Sequence, residues 1–194
     1  MRIGRVLGLV ITTGFLLSTL AAGTSSGVPP GCTVIGTPGR DVLSGTDGPD
    51  VICGLGGGDR IHGKGGNDVL IGGDGGDLLF GGAGKDRLRG GRGLDLGLGG
   101  GGRDVARGGR GQDSIIGGPK ADKIFGGPGR DGQLWGQSGR GDFVSGGAGD
   151  DSCVSTWDRD GDDVVVGGPG HDIFFADPGD TRRSVEQSAG CIGD

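Results

Sequence analysis

One carboxylate recurs every nine residues across residues 36–134. The series is Asp41, Asp50, Asp59, Asp68, Asp77, Asp86, Asp95, Asp104, Asp113, Asp122 and Asp131, without a gap. Each is the sixth residue of a nonapeptide that opens on glycine, from Gly36 to Gly126. A single aspartate in a turn commonly caps its own backbone. Eleven in unbroken register form a ladder of identical oxygen ligands. Hard oxygen ligands at fixed spacing suit a hard divalent cation, calcium above all, with several ions per chain. Beyond residue 134 the period is interrupted, but Asp142, Asp151, Asp163 and Asp172 stand at the corresponding place in the degenerate units.

The elements that carry this ladder follow from the rest of each unit. In GKGGNDVLI (63–71) and GGDGGDLLF (72–80) the first six residues are turn formers. The last three are long enough only for a short strand. Position eight is the inward candidate and holds Leu43, Ile52, Ile61, Leu70, Leu79, Leu88, Ile115 and Ile124, with weak points at Gly97 and Ala106. Positions seven and nine then face outward, because side chains alternate along a strand. Two units make one coil of turn, strand, turn, strand. Stacked coils predict an all-β, right-handed parallel β-roll, a β-solenoid with two repeats per coil. Alternate aspartates fall on opposite edges, with Asp41, Asp59, Asp77, Asp95, Asp113 and Asp131 on one and Asp50, Asp68, Asp86, Asp104 and Asp122 on the other.

Such a roll is poorly supported without metal. A coil buries only two large apolar side chains against the ordering of eighteen residues, many of them glycine. Same-edge carboxylates one strand spacing apart, about 4.8 Å, repel each other by roughly 3–4 kcal/mol at an effective dielectric near 20. A dication between successive turns reverses that sign and draws on the carbonyls that glycine-rich turns expose. Ligands then come from both coils, so binding and stacking become one event.

The unit G-G-x-G-x-D-x-U-x resembles the RTX, or haemolysin-type, calcium-binding repeat. The resemblance covers residues 36–134 cleanly and reaches Phe175 with interruptions. It implies calcium held between same-edge turns by the position-six carboxylates and turn carbonyls, and an extracellular setting. The first four units depart from the pattern with Thr37, Thr46, Leu55 and Lys64 at position two, and Lys120 replaces the position-four glycine. Weaker sites are expected there. Arg40, Lys85, Arg103 and Arg130 at position five reduce the local negative charge.

Composition agrees with a repeat array. The chain has 194 residues with 54 Gly, and 31% apolar content is too low for a conventional core of packed helices. Its formal charge is −6, and Glu186 is the only glutamate. Residues 1–23 read as a secretory signal: Arg2 and Arg5, an apolar run Val6 to Leu20, then Ala21, Ala22 and Gly23. The apolar run is short for a membrane span, so the chain is expected to be secreted and not membrane-spanning after cleavage. Residues 24–35 form a linker and first strand, residues 135–175 degenerate repeats, and residues 176–194 a C-terminal cap. The four cysteines suggest two disulfides in an exported chain. Local pairs, Cys32 with Cys53 and Cys153 with Cys191, are favoured as staples at the two ends.

Other chemistry finds little support. His62 and His171 are far apart, and neither HExxH nor G-x-S-x-G occurs. Gly58 to Lys64 approaches a phosphate loop but is followed by Gly65 where Ser or Thr is required. Asp158, Asp160 and Asp162 imitate the start of an EF-hand, yet Pro169 stands where its closing glutamate belongs. Arg140-Gly141-Asp142 spells an adhesion tripeptide, although Asp142 already has a place in the repeat. Scattered arginines in an acidic chain do not suggest nucleic acid. The competing reading is an extracellular adhesion or surface module that contacts a cell surface, matrix, glycan or ice. Ranks of threonine, expected of an ice-binding face, are absent.

Overall fold

In the computed structural model, residues 31–156 and 161–183 are described. They contain seventeen strands and no helix. The odd strands are β1 (Val34–Ile35), β3 (Val51–Gly56), β5 (Val69–Asp74), β7 (Arg87–Gly93), β9 (Val105–Gly111), β11 (Lys123–Pro128), β13 (Phe143–Ala148), β15 (Val164–Val166) and β17 (Thr181–Arg183). The even strands are β2 (Val42–Ser44), β4 (Arg60–Gly65), β6 (Leu78–Ala83), β8 (Leu96–Gly101), β10 (Ser114–Ile116), β12 (Leu134–Trp135), β14 (Val154–Ser155) and β16 (Phe174–Phe175). The odd strands form one sheet in sequence order and the even strands a second. Every pairing is parallel. The chain is thus a parallel β-solenoid in which each coil contributes one strand to each face.

Registers follow the expected eighteen-residue coil: Ile52 pairs with Leu70, Leu70 with Leu88 and Leu88 with Ala106. The position-eight side chains from Ile52 to Ile124 form a file of buried residues between the sheets, with Leu43 partly buried against its start, and it is continued by Leu134, Val144, Val154, Val165 and Phe174. After Asp131 the inward place passes from position eight to Leu134, which pairs with Ile115. The extra residue, Gly132, is absorbed in the turn. The core is thinnest at Gly97, where a Cβ would find Ile115 and Leu88 at ordinary contact distances of 3.6–3.7 Å.

In the units from Gly54 to Gly126, position-two and position-four residues adopt left-handed backbone angles, for example Gly73 at φ 120° and Gly75 at φ 128°. A Cβ at either would run into a carbonyl of the preceding coil, so glycine is required by both angle and space. Leu55, Lys64 and Lys120 hold positive φ of 79°, 80° and 95° without being glycine. Stacking imposes that conformation against their steric preference.

Cys32 and Cys53 form a disulfide that fixes the start of the roll to β3. Cys153 is also disulfide-bonded. Its expected partner Cys191, the signal segment and residues 184–194 of the expected cap lie outside the described residues. Thr181–Arg183, from the remainder of that cap, adds β17 to the odd sheet beside β15.

Candidate metal centre

Every aspartate of the series lies at a turn, and from Asp59 onward each is buried, at most 4% exposed. Burial arises because each carboxylate points along the solenoid axis toward the preceding coil. Its Oδ1 accepts a hydrogen bond from the backbone amide of the same-edge aspartate one coil earlier. Asp41 N–H donates to Asp59 Oδ1, Asp59 to Asp77, and Asp77 to Asp95, at 2.8–2.9 Å. This edge continues through Asp113 and Asp131 to Asp151 and Asp172. The opposite edge runs from Asp50 through Asp68, Asp86, Asp104 and Asp122 to Asp142 and Asp163. The spacing lengthens from 18 to 20 and then 21 residues in the degenerate units, and the edge assignment survives.

The second oxygen is different. The Oδ2 atoms of Asp59, Asp68, Asp77, Asp86, Asp95, Asp104, Asp113, Asp122, Asp131 and Asp151 are buried and meet no hydrogen-bond donor. A buried carboxylate oxygen without a partner is costly, and costlier when charged. Each one lies beside the position-one glycine of its own unit. A Cβ at Gly99 would meet Asp104 Oδ2 at 2.7 Å and the carbonyl oxygen of Gly117, one coil on, at 2.5 Å. Two oxygens of different coils therefore converge on a place that only glycine leaves open.

Desolvation is the main reason these carboxyls resist ionisation, and it outweighs the favourable amide bond to Oδ1. It raises Asp59, Asp68, Asp77, Asp104 and Asp113 above the ordinary carboxylate range. Asp86 and Asp151 reach about 6, Asp95 and Asp131 about 7 and Asp122 about 8, with repulsion from neighbouring aspartates adding to burial.

These features fit a hard cation. Among the described residues no three His, Cys, Asp or Glu side chains converge on one point. Calcium takes about six to eight oxygens, so carbonyls, or water, must complete any site built on one carboxylate per turn.

The first two turns are built otherwise. Thr37 and Thr46 lack positive φ. Their amides donate to Asp41 Oδ2 and Asp50 Oδ2 at 2.6 Å, and their hydroxyls do so at 2.9 Å. Asp50 is held below the ordinary carboxylate range, chiefly by the Thr46 amide and then by its hydroxyl. The oxygen left without a donor elsewhere is satisfied here by the protein itself.

Sequence reasoning missed two residues that close the ladder. Thr33 donates its hydroxyl to Asp50 Oδ1 at 3.4 Å at the start. Asp180 ends it by accepting from Asp163 N–H at 3.3 Å on Oδ1, while its Oδ2 takes Asp177 N–H at 2.8 Å. Neither belongs to a nonapeptide unit, so periodicity gave no sign of them. Of the lesser motifs, Asp142 is buried in the ladder and not displayed as an adhesion tripeptide, while Asp158 and Asp160 lie outside the described residues.

Fold and site together define a parallel solenoid whose edges are ladders of buried carboxylates. The RTX calcium-binding nonapeptide repeat matches residues 35–70, 62–96, 98–132, 138–160 and 157–181, and the chain belongs to that family. No curated protein and no solved structure gives a match.

Proposed function

We propose that the chain is a secreted, non-enzymatic calcium-binding protein whose β-roll folds when calcium binds between same-edge turns. The carrying observation is the run of buried Oδ2 atoms that no donor meets. Each charged carboxylate needs a partner, and an ion shared by two coils supplies one. Calcium would provide positive charge and oxygen coordination. The aspartates and position-one carbonyls would hold it, and the glycines would keep the place clear. Low calcium leaves the turns self-repelling, and high calcium closes them. Export into a calcium-rich medium would then trigger folding outside the cell.

A non-enzymatic reading is supported by the two histidines. His62 stacks flat on Phe80 at 4.4 Å in the even sheet, whereas His171 lies in the turn before β16, its amide on Asp150. Among the described residues no helix is long and apolar enough to cross a membrane. Circular dichroism with calcium and with EDTA, alongside calorimetric titration, tests the proposal. Strand signal that appears with several bound ions is expected. An unchanged spectrum in EDTA refutes the coupling.

A further inference from the structure

We propose that the outer face of the odd-strand sheet is a binding groove for an acidic polysaccharide. The groove is a property of the folded roll and goes beyond calcium binding. Five exposed arginines stand on two adjacent strands: Arg87, Arg89 and Arg92 on β7, Arg107 and Arg110 on β9. The register sets Arg89 beside Arg107 and Arg92 beside Arg110. Like charges directly paired across strands destabilise a sheet. Among the described residues, the one acid that pairs with this block is Asp74, 3.3 Å from Arg92, with both side chains about two-thirds exposed. A pair so open to solvent contributes little. The block therefore presents unneutralised positive charge, while most of the repeat carboxylates are hidden in the turns.

Shape follows from the repeat. Position-nine residues make one wall, with Arg89 and Arg107 between Ile71 and Phe125. Position-three residues make the other, with Arg92 and Arg110 ending at Pro128. Between them runs a floor of Gly73, Gly91 and Gly109, at φ 120°, 133° and 125°, where any Cβ would strike the coil before. The floor is thus held bare by the same rule that builds the turns. A hollow of about 670 Å³ lies along this floor, and a neighbouring one of about 630 Å³ lies on the Arg87 side of the Arg89–Arg107 wall.

An extended chain bearing carboxylate or sulfate groups fits this channel. The guanidinium fork pairs with such groups through two parallel hydrogen bonds. Ile71 and Pro128 offer apolar surface to the faces of sugar rings. Nucleic acid fits less well, because single strands are gripped by successive aromatic platforms. Here Phe125 already carries the Arg107 guanidinium, 4.8 Å from its centroid.

The test is calorimetry on the full chain in saturating calcium, with a heparin octasaccharide as probe. An uncharged dextran oligosaccharide of equal length and an oligothymidylate of equal charge serve as comparisons. The octasaccharide is expected to bind and dextran not to bind. Arg89→Gln with Arg107→Gln should weaken binding by about tenfold or more, and Arg103→Gln, in a turn away from the groove, by less than about twofold. Arg92→Gln with Arg110→Gln tests the opposite wall should the first pair disturb folding, which circular dichroism in calcium reports separately. Absence of octasaccharide binding, equal loss with Arg103→Gln, or equally tight oligothymidylate binding overturns the proposal.

Discussion

The Thr46 hydroxyl lies 2.9 Å from Asp50 Oδ2, in the role that no protein group fills in the turns from Asp59 to Asp131. Thr37 does the same for Asp41. These turns carry their own donors, so they order without an ion. Replacing both threonines with glycine would remove the two hydroxyl donors and permit the left-handed backbone used farther along, which turns the amides away from Oδ2. Calorimetry should then count more bound calcium than in the parent chain. An unchanged count would show that threonine does not stand in for the cation.

Acidity should substitute for metal. The raised carboxyls bind protons more tightly folded than unfolded, where aspartate titrates near 3.9. Their contribution to the metal-free roll is full below about pH 4 and is lost as pH rises through about 6 to 8, the range of Asp86, Asp95, Asp122, Asp131 and Asp151. In EDTA, the strand signal should be greater at about pH 5 than at about pH 8. The opposite slope would contradict the burial of these groups.

Asp95 separates the two oxygens of one carboxylate. Asp95→Asn keeps an acceptor for the Asp77 amide, now 2.9 Å from Oδ1, but removes the charge. It is expected to lower calcium stoichiometry and, in EDTA, to stabilise the roll. Asp95→Ala also strands a buried amide, at a cost of about 1–3 kcal/mol. Denaturation of both variants, with and without calcium, distinguishes them. Equal behaviour would mean that the hydrogen bond is immaterial.

Backbone strain gives stability changes of opposite chemistry. Leu55→Gly and Lys64→Gly should each stabilise by about 1 kcal/mol, because both residues hold left-handed angles that cost about 1–2 kcal/mol without glycine. Gly97→Ala should also stabilise, by about 0.5–1 kcal/mol, since its φ is ordinary and its Cβ meets only loose contacts. Thermal melts in calcium measure all three. Destabilisation by Gly97→Ala would mean that the thin stretch of core is already full.

Most of this architecture was legible in the sequence because one rule repeats. Position eight gave the core from Ile52 to Ile124, and the nine-residue period placed each aspartate on its edge. The period could not show that Oδ1 spends itself on the amide of the coil before, leaving a single oxygen for a cation. Nor could it show why Asp41 and Asp50 differ: Thr37 and Thr46 read as lost glycines, and only the turn geometry reveals the hydroxyl aimed at the carboxylate. Arg89 and Arg107 are ordinary outward residues in sequence. Their adjacency depends on coil-to-coil register.

The amide-to-carboxylate link also governs length. Asp122 reaches Asp142, and Asp142 reaches Asp163, over 20 and 21 residues by the same contact that elsewhere spans 18. What the link measures is the next acid, not the number of residues before it. Such a scaffold can therefore be shortened or lengthened by whole windings, as a chain is by its links, and excision of residues 72–89 should give a stubbier molecule whose surviving junctions are unaltered.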